Sequence, residues 1–168
     1  IQTAEQMLAL AEQERDLSVK IGIGLNTDIV CVGNMGSDQR FDYSVLGDGV
    51  NLASRLECQS KTYGVAIVLG EDTHNQAPDY ACIELDLIQV KGQTRPTRIF
   101  GLLGNEQVAS SAEFVKYKEK HDRLLLCYRS QQWDEASKLS SECWNLCGPW
   151  GNTGLYDLFD ERIEEYKD

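Results

Sequence analysis

Asn51 and Arg55 stand four residues apart in the stretch Gly47-Asp-Gly-Val-Asn-Leu-Ala-Ser-Arg-Leu-Glu57. On a helix, that spacing projects an amide and a guanidinium from one face. Near the helix start, the unpaired main-chain N–H groups and the helix dipole favour anions. The chemistry open to such a pair is a clamp on phosphate and ribose. The same spacing also suits a helix with no ligand, capped by Asp48, with Asn51 bonded locally and Arg55 paired to a nearby carboxylate. Spacing alone favours this second case. Other reactive groups are thinly spread: His74 and His121 lie far apart, and the six cysteines (Cys31, Cys58, Cys82, Cys127, Cys143, Cys147) form no Cys-x-x-Cys pair. That distribution disfavours structural zinc and a dense disulfide framework, and suits reduced thiols in a cytosolic setting.

The helix carrying Asn51 and Arg55 is predicted from Val50 to about Tyr63, with Asp48 as its N-cap and Gly64 as its end. Before it, Ala4, Met7, Leu8, Ala11 and Leu17 mark an amphipathic helix over residues 2 to 17. Val19–Leu25 and Ile29–Val32 are β-rich runs separated by Asn26-Thr27-Asp28, which predicts a hairpin. Gly33 to Arg40 is expected to be a polar loop. Val65–Leu69 is a short apolar strand, followed by a polar helix or loop through Asp79. Strands near Ala81–Val90 and Arg98–Leu103 flank a connection that contains Lys91 and Pro96. From Asn105 the texture becomes helical. Phe114, Leu124–Leu126 and Tyr128 fall on one helix, Trp133, Ala136, Leu139 and Cys143 on a second, and Gly154–Tyr166 forms a third. The pattern resembles a helix-turn-helix repeat unit. A single unit cannot build a solenoid, so a helical appendage packed on an α+β part is favoured over a peptide-binding array.

Of the 168 residues, 27 are acidic and 16 are Lys or Arg, a net charge of −11. With 42% apolar and 26% charged residues, the chain has the composition of an ordinary globular domain with room for an appendage. Both sides of Gly104 are acidic. This excludes the clustered cations that a nucleic-acid or anionic-membrane surface needs. The longest apolar run, Val65–Leu69, falls far short of the roughly 20 residues of a membrane span. The chain opens on Ile1 with no basic leader, which predicts a fragment or processed piece.

Five segments occur in a telling order: Ile21-Gly-Ile-Gly-Leu-Asn-Thr, Val32-Gly-Asn-Met-Gly-Ser37, Arg40-Phe-Asp-Tyr43, Gly47 through Glu57, and Val90-Lys-Gly92. Together they resemble the catalytic domain of class III adenylate/guanylate cyclases, bacterial ones especially, over about residues 1 to 104. The resemblance implies a ferredoxin-like α+β domain that dimerises head to tail and binds nucleotide between subunits. Residues 105–168 would form an all-α extension of the kind found in sensor-linked cyclases. By the same resemblance, Asn51 orients the ribose, Arg55 neutralises charge at the α-phosphate, Lys91 holds the terminal phosphates and Ser44 helps to read the base. Without the family, Lys91 beside a glycine fits a solvated turn equally well, and a hydroxyl at Ser44 selects neither ATP nor GTP by itself.

The implied reaction is ATP to 3′,5′-cyclic AMP and pyrophosphate in a cytoplasmic homodimer, with an upstream sensor or membrane region in the parent. ATP is preferred because the surrounding sequence looks bacterial. A guanylate cyclase and a non-catalytic cyclase-like module are the alternatives. Two departures stand out. Asp28 replaces the usual turn glycine, and a residue of that type tolerates positive φ. The two aspartates that hold Mg²⁺ or Mn²⁺ in the family belong upstream of the first helix, so no metal ligand is assigned here. Asp28, Asp38, Asp42 and Asp48 do not have the spacing of a two-metal pair. The polypeptide alone is therefore expected to be inactive.

Overall fold

A computed structural model describes residues 2–4, 6, 21–37, 40–89 and 96–167. Its strands are β1 (Ile23–Leu25), β2 (Cys31–Ser37), β3 (Arg40–Leu46), β4 (Ile67–Gly70), β5 (Ala81–Ile88) and β6 (Thr97–Gly104). Helix α1 (Asp48–Tyr63) follows β3, and the short α2 (Glu71–Asn75) follows β4. After β6 come α3 (Glu106–Ala109), α4 (Ala112–Arg129), α5 (Trp133–Leu146), a 3₁₀ turn (Gly148–Trp150) and α6 (Thr153–Lys167). The fold is α+β with a helical C-terminal part. One sheet has the order β1-β4-β6-β5, and β2 and β3 form a separate antiparallel pair.

The expected hairpin between Val19–Leu25 and Ile29–Val32 does not form. Instead β1 pairs in parallel with β4, Ile23 opposite Ile67 and Leu25 opposite Leu69. The turn-forming residues are used otherwise. Asn26 Nδ2 donates to the Gly49 carbonyl at 3.3 Å, and the Thr27 and Thr73 hydroxyls lie 3.0 Å apart. These bonds tie the end of β1 to α1 and α2, and burial of Ile67 and Leu69 gives the parallel pairing its hydrophobic support. The predicted loop from Gly33 to Arg40 is largely strand: β2 and β3 pair from Cys31–Leu46 down to Ser37–Arg40. Cross-strand hydrogen bonds there override the low strand propensity of Gly33, Asn34 and Gly36.

Helix α1 runs from Asp48, two residues earlier than predicted. Gly47 takes the N-cap position and no side chain caps the helix; Asp48 sits in the first turn, where its charge suits the dipole. Gly64 ends the helix in the left-handed conformation, φ 65°, and its N–H returns to the Ser60 carbonyl. Leu52, Leu56, Ser60 and Tyr63 form the buried face, at the spacing that lines one side of a helix.

The sheet is buried on both faces. Val68, Ile83, Leu85 and Ile99 face α1 and the C-terminal helices, whereas Ile67, Leu69, Phe100 and Leu102 cluster on the other side with Ala4. The latter residue lies in the expected first helix, of which residues 2–4 and 6 are helical; its remainder lies outside the described residues. The C-terminal helices do pack on the α+β part, as expected. Phe114 and Tyr117 of α4, Leu139 of α5 and Phe159 of α6 share one hydrophobic core with α1. Among the described residues no helix is long and apolar enough to cross a membrane. All six cysteines are free thiols.

Candidate functional site

With Leu52 and Leu56 committed to the core, helical geometry leaves Asn51 and Arg55 exposed on the opposite side of α1. The structure therefore brings these two together on one face, with Cβ atoms about 6 Å apart by helix geometry. Two contacts hold the start of the helix. Asn26 bonds to Gly49, and Gly49 is so close to Asp28 that a Cβ there would lie 2.3 Å from that of Asp28. Gly24 supports the middle: a Cβ there would meet the Ala53 carbonyl oxygen at 2.1 Å and the Glu57 nitrogen at 2.4 Å. Only glycine lets β1 approach the helix backbone this closely.

Ser44 is half-buried on β3, opposite Gly33 of β2 and one short connection away from α1. It lies on the hairpin and not on the α1 face. Lys91 lies outside the described residues. The hairpin is unusual for its exposed apolar side chains. Ile29 just before it is 94% exposed and Tyr43 76%, with Val32, Val45 and Leu46 also open to solvent. Among the described residues, no group of three or more His, Cys, Asp or Glu converges on a point that could hold a metal ion. Asp28 uses Oδ1 to accept the Ile29 N–H at 2.7 Å.

A cleft of about 360 Å³ lies elsewhere, between α2, β5, β6 and α4. Its cations are matched by carboxylates: Arg98 bonds to Glu71, Lys118 to Asp122 at 3.2 Å, and Arg129 to Glu84 at 2.5 Å. His74 stacks on Phe100 with centroids 3.9 Å apart. Burial, helped by Lys118 and Arg98, holds its pKa below the usual histidine value. A cleft whose charges are paired internally offers a ligand little, so the candidate site is the α1 face with the neighbouring hairpin.

No local sequence pattern marks what anchors the far end of α1. Tyr63 donates to Asp86 Oδ2 at 2.7 Å, and Arg162 Nη1 reaches the same oxygen at 2.7 Å. The partners are 23 and 76 residues from Asp86 in the chain, beyond any local pattern.

Comparison with known proteins agrees with the motif order. Residues 2–104 match the family described as adenylate and guanylate cyclase catalytic domain. The chain is 26% identical over 130 residues to the terminal-differentiation-specific adenylate cyclase of Dictyostelium discoideum, a match covering 75% of this chain and 6% of that protein. It is 34% identical over 86 residues to an adenylate cyclase of Anabaena cylindrica, covering 49% of this chain and 17% of that one. Among solved structures, it is similar to the guanylyl cyclase Cya2, with a TM-score of 0.50 and 34% identity over 61% of this chain and 55% of that one. The chain thus spans a small part of these curated relatives and about half of the solved structure. Because the match takes in well over half of the residues and includes the helix with Asn51 and Arg55, the chain belongs to the adenylate and guanylate cyclase catalytic domain family.

Proposed function

We propose that the chain is part of an adenylate cyclase that converts ATP to 3′,5′-cyclic AMP and pyrophosphate. The observation that carries this reading is the pairing of Asn51 and Arg55 on the exposed face of α1, whose other face is fixed in the core. Asn51 would orient the ribose so that its 3′-hydroxyl meets the α-phosphate in line. Arg55 would neutralise the charge that grows on that phosphate as pyrophosphate leaves. Such placement is most of what phosphoryl chemistry asks of a protein. Ser44 would contact the base and Lys91 the terminal phosphates.

An exposed arginine is a weak phosphate ligand while water screens it. The hairpin that leads into α1 exposes apolar side chains that suit a second copy, and a homodimer that covers the site is proposed on that ground. Cyclases of this family use divalent metal ions. The described residues do not supply a set of ligands for one, so Mg²⁺ or Mn²⁺ would be held by residues outside this set, and the role argued for α1 lies on the nucleotide side. Residues 1–104 are proposed as the cyclase part and 105–168 as a helical extension, in a cytoplasmic protein whose parent carries an upstream sensor or membrane region.

In the complete protein, Arg55→Ala should lower kcat by about 10²–10³, the usual loss when a charge-stabilising donor is removed, and change KM far less. Equal losses in kcat and in nucleotide affinity would reject the assigned role. Ser44 and the similarity to a guanylyl cyclase favour one second reading, GTP as substrate. Assaying ATP against GTP separates the two. Absence of turnover with either, in the presence of Mn²⁺, would instead mark a non-catalytic interaction module.

A further inference from the structure

The C-terminal end of α1 is tied to the last helix through a single carboxylate. Tyr63, 2% exposed, donates its hydroxyl to Asp86 Oδ2 at 2.7 Å, and Arg162 of α6 donates to the same oxygen at 2.7 Å. Asp86 Oδ1 accepts the Leu87 N–H at 2.8 Å, which fixes the carboxylate to its own strand where the β5–β6 register shifts. The Arg162 guanidinium also lies 5.9 Å from the centroid of the Tyr63 ring. A second approach occurs beside the first: a Cβ on Gly64 would lie 3.6 Å from the Gly154 Cα near the start of α6. Burial disfavours charge on Arg162, but Asp86 and Tyr63 more than offset it, so the guanidinium remains charged.

Leu52 and Leu56 press α1 onto the sheet by apolar contact, which has no preferred direction, and the bond at the helix start, Asn26 to Gly49, is long at 3.3 Å; together these tolerate a small rotation about the helix axis. The bonds at Tyr63 are directional and do not. Tyr63 is eight residues beyond Arg55, about 12 Å along a helix that behaves as one rigid body. A turn at one end is therefore a turn at the other. We propose that Arg162 is a positioning residue: by holding Asp86 against Tyr63 it sets the roll of α1, and thereby the direction in which Asn51 and Arg55 face the nucleotide. The C-terminal helix thus governs the cyclase site from the opposite end of the helix that carries it. The effect on catalysis rests on the reading of the α1 face given above; the effect on the helix does not.

Two measurements test it. In chain 1–168, hydrogen–deuterium exchange of the amides at residues 60–64 should be at least about fivefold faster in Arg162→Met, with α5 unchanged. Tyr63→Phe, which removes one hydroxyl and keeps the ring, should do the same and serves if Arg162→Met folds poorly. Unaltered exchange at 60–64 in both variants overturns the proposal. In the complete protein with ATP or GTP and Mn²⁺, Arg162→Met should lower kcat about tenfold with KM within twofold, and Arg162→Lys should recover part of the loss. In an Arg55→Ala background the same change should alter kcat by clearly less than tenfold, because the part of its effect that passes through Arg55 is gone and only the part through Asn51 remains. A tenfold loss in both backgrounds means that Arg162 acts only on general stability and overturns the proposal. If the complete wild-type protein forms no cyclic nucleotide, the function reading fails and the exchange measurement decides alone.

Discussion

His121 is fully buried between β5 and α6. Its Nε2–H donates to the Glu84 carbonyl at 2.6 Å, and Nδ1 lies 3.0 Å from the Tyr156 hydroxyl. Both ring nitrogens thus have a polar partner. Burial pushes its pKa down to about 4; Lys118 and Arg129 push the same way, while the Glu84 bond and Asp122 oppose them. As pH falls, the unfolded chain takes up this proton near 6.5 and the folded chain only near 4. Stability from this residue is therefore full above about pH 6.5 and lost progressively below it, by about 2 kcal/mol between pH 7 and pH 5. Urea midpoints at the two pH values should show the loss, and His121→Gln should flatten it. The sequence displayed His121 as an isolated histidine on a predicted helix and said nothing of Glu84 or Tyr156. Asn51 and Arg55 were legible because their relation is local, four residues on one helix.

For the elements, α1 was readable to within two residues: Gly64 marks its end, and the four-residue spacing of Asn51 and Arg55 its exposed face. The positions of most strands were readable too, but not their pairing. Asn26-Thr27-Asp28 has the composition of a tight turn, yet its side chains bond to Gly49 and Thr73 and send the chain away from a local hairpin. Gly24 could be read as a strand residue but not as the point where β1 touches the backbone of α1. Replacing it with alanine would insert a methyl 2.1 Å from the Ala53 carbonyl oxygen, so the helix must shift. Gly24→Ala should cost about 1–3 kcal/mol, the usual range for overpacking, measured by the urea midpoint of chain 1–168. An unchanged midpoint would mean that α1 is free to move away from β1.

At the level of the whole molecule, one core extends across residue 104. Val68, Ile83, Leu85 and Ile99 of the sheet meet Tyr117, Leu124 and Phe159 of the C-terminal helices, and Arg129 and Arg162 bind carboxylates on β5. A chain ending at Gly104 would leave that sheet face without its cover. It should lose the cooperative thermal transition of chain 1–168 and aggregate, as seen by near-ultraviolet circular dichroism and size-exclusion chromatography. A sharp transition in the shortened chain would show that the helices are dispensable for folding. The change of texture at Asn105 was visible in the sequence, whereas the shared core was not.

By itself the sequence determined what short-range interactions control: the extent and face of α1, its glycine stop, the succession of strands and helices, and the ordered motifs of a cyclase domain. These follow from propensities and from contacts within about four residues. Only the tertiary structure decided that β1 lies beside β4, that Cys31–Ser37 pairs with Arg40–Leu46 while Val32, Tyr43, Val45 and Leu46 stay exposed, and that Arg162 joins Asp86 across 76 residues. Such contacts form because separate apolar faces must be buried together, and the polar groups carried in with them need partners wherever the packing places them.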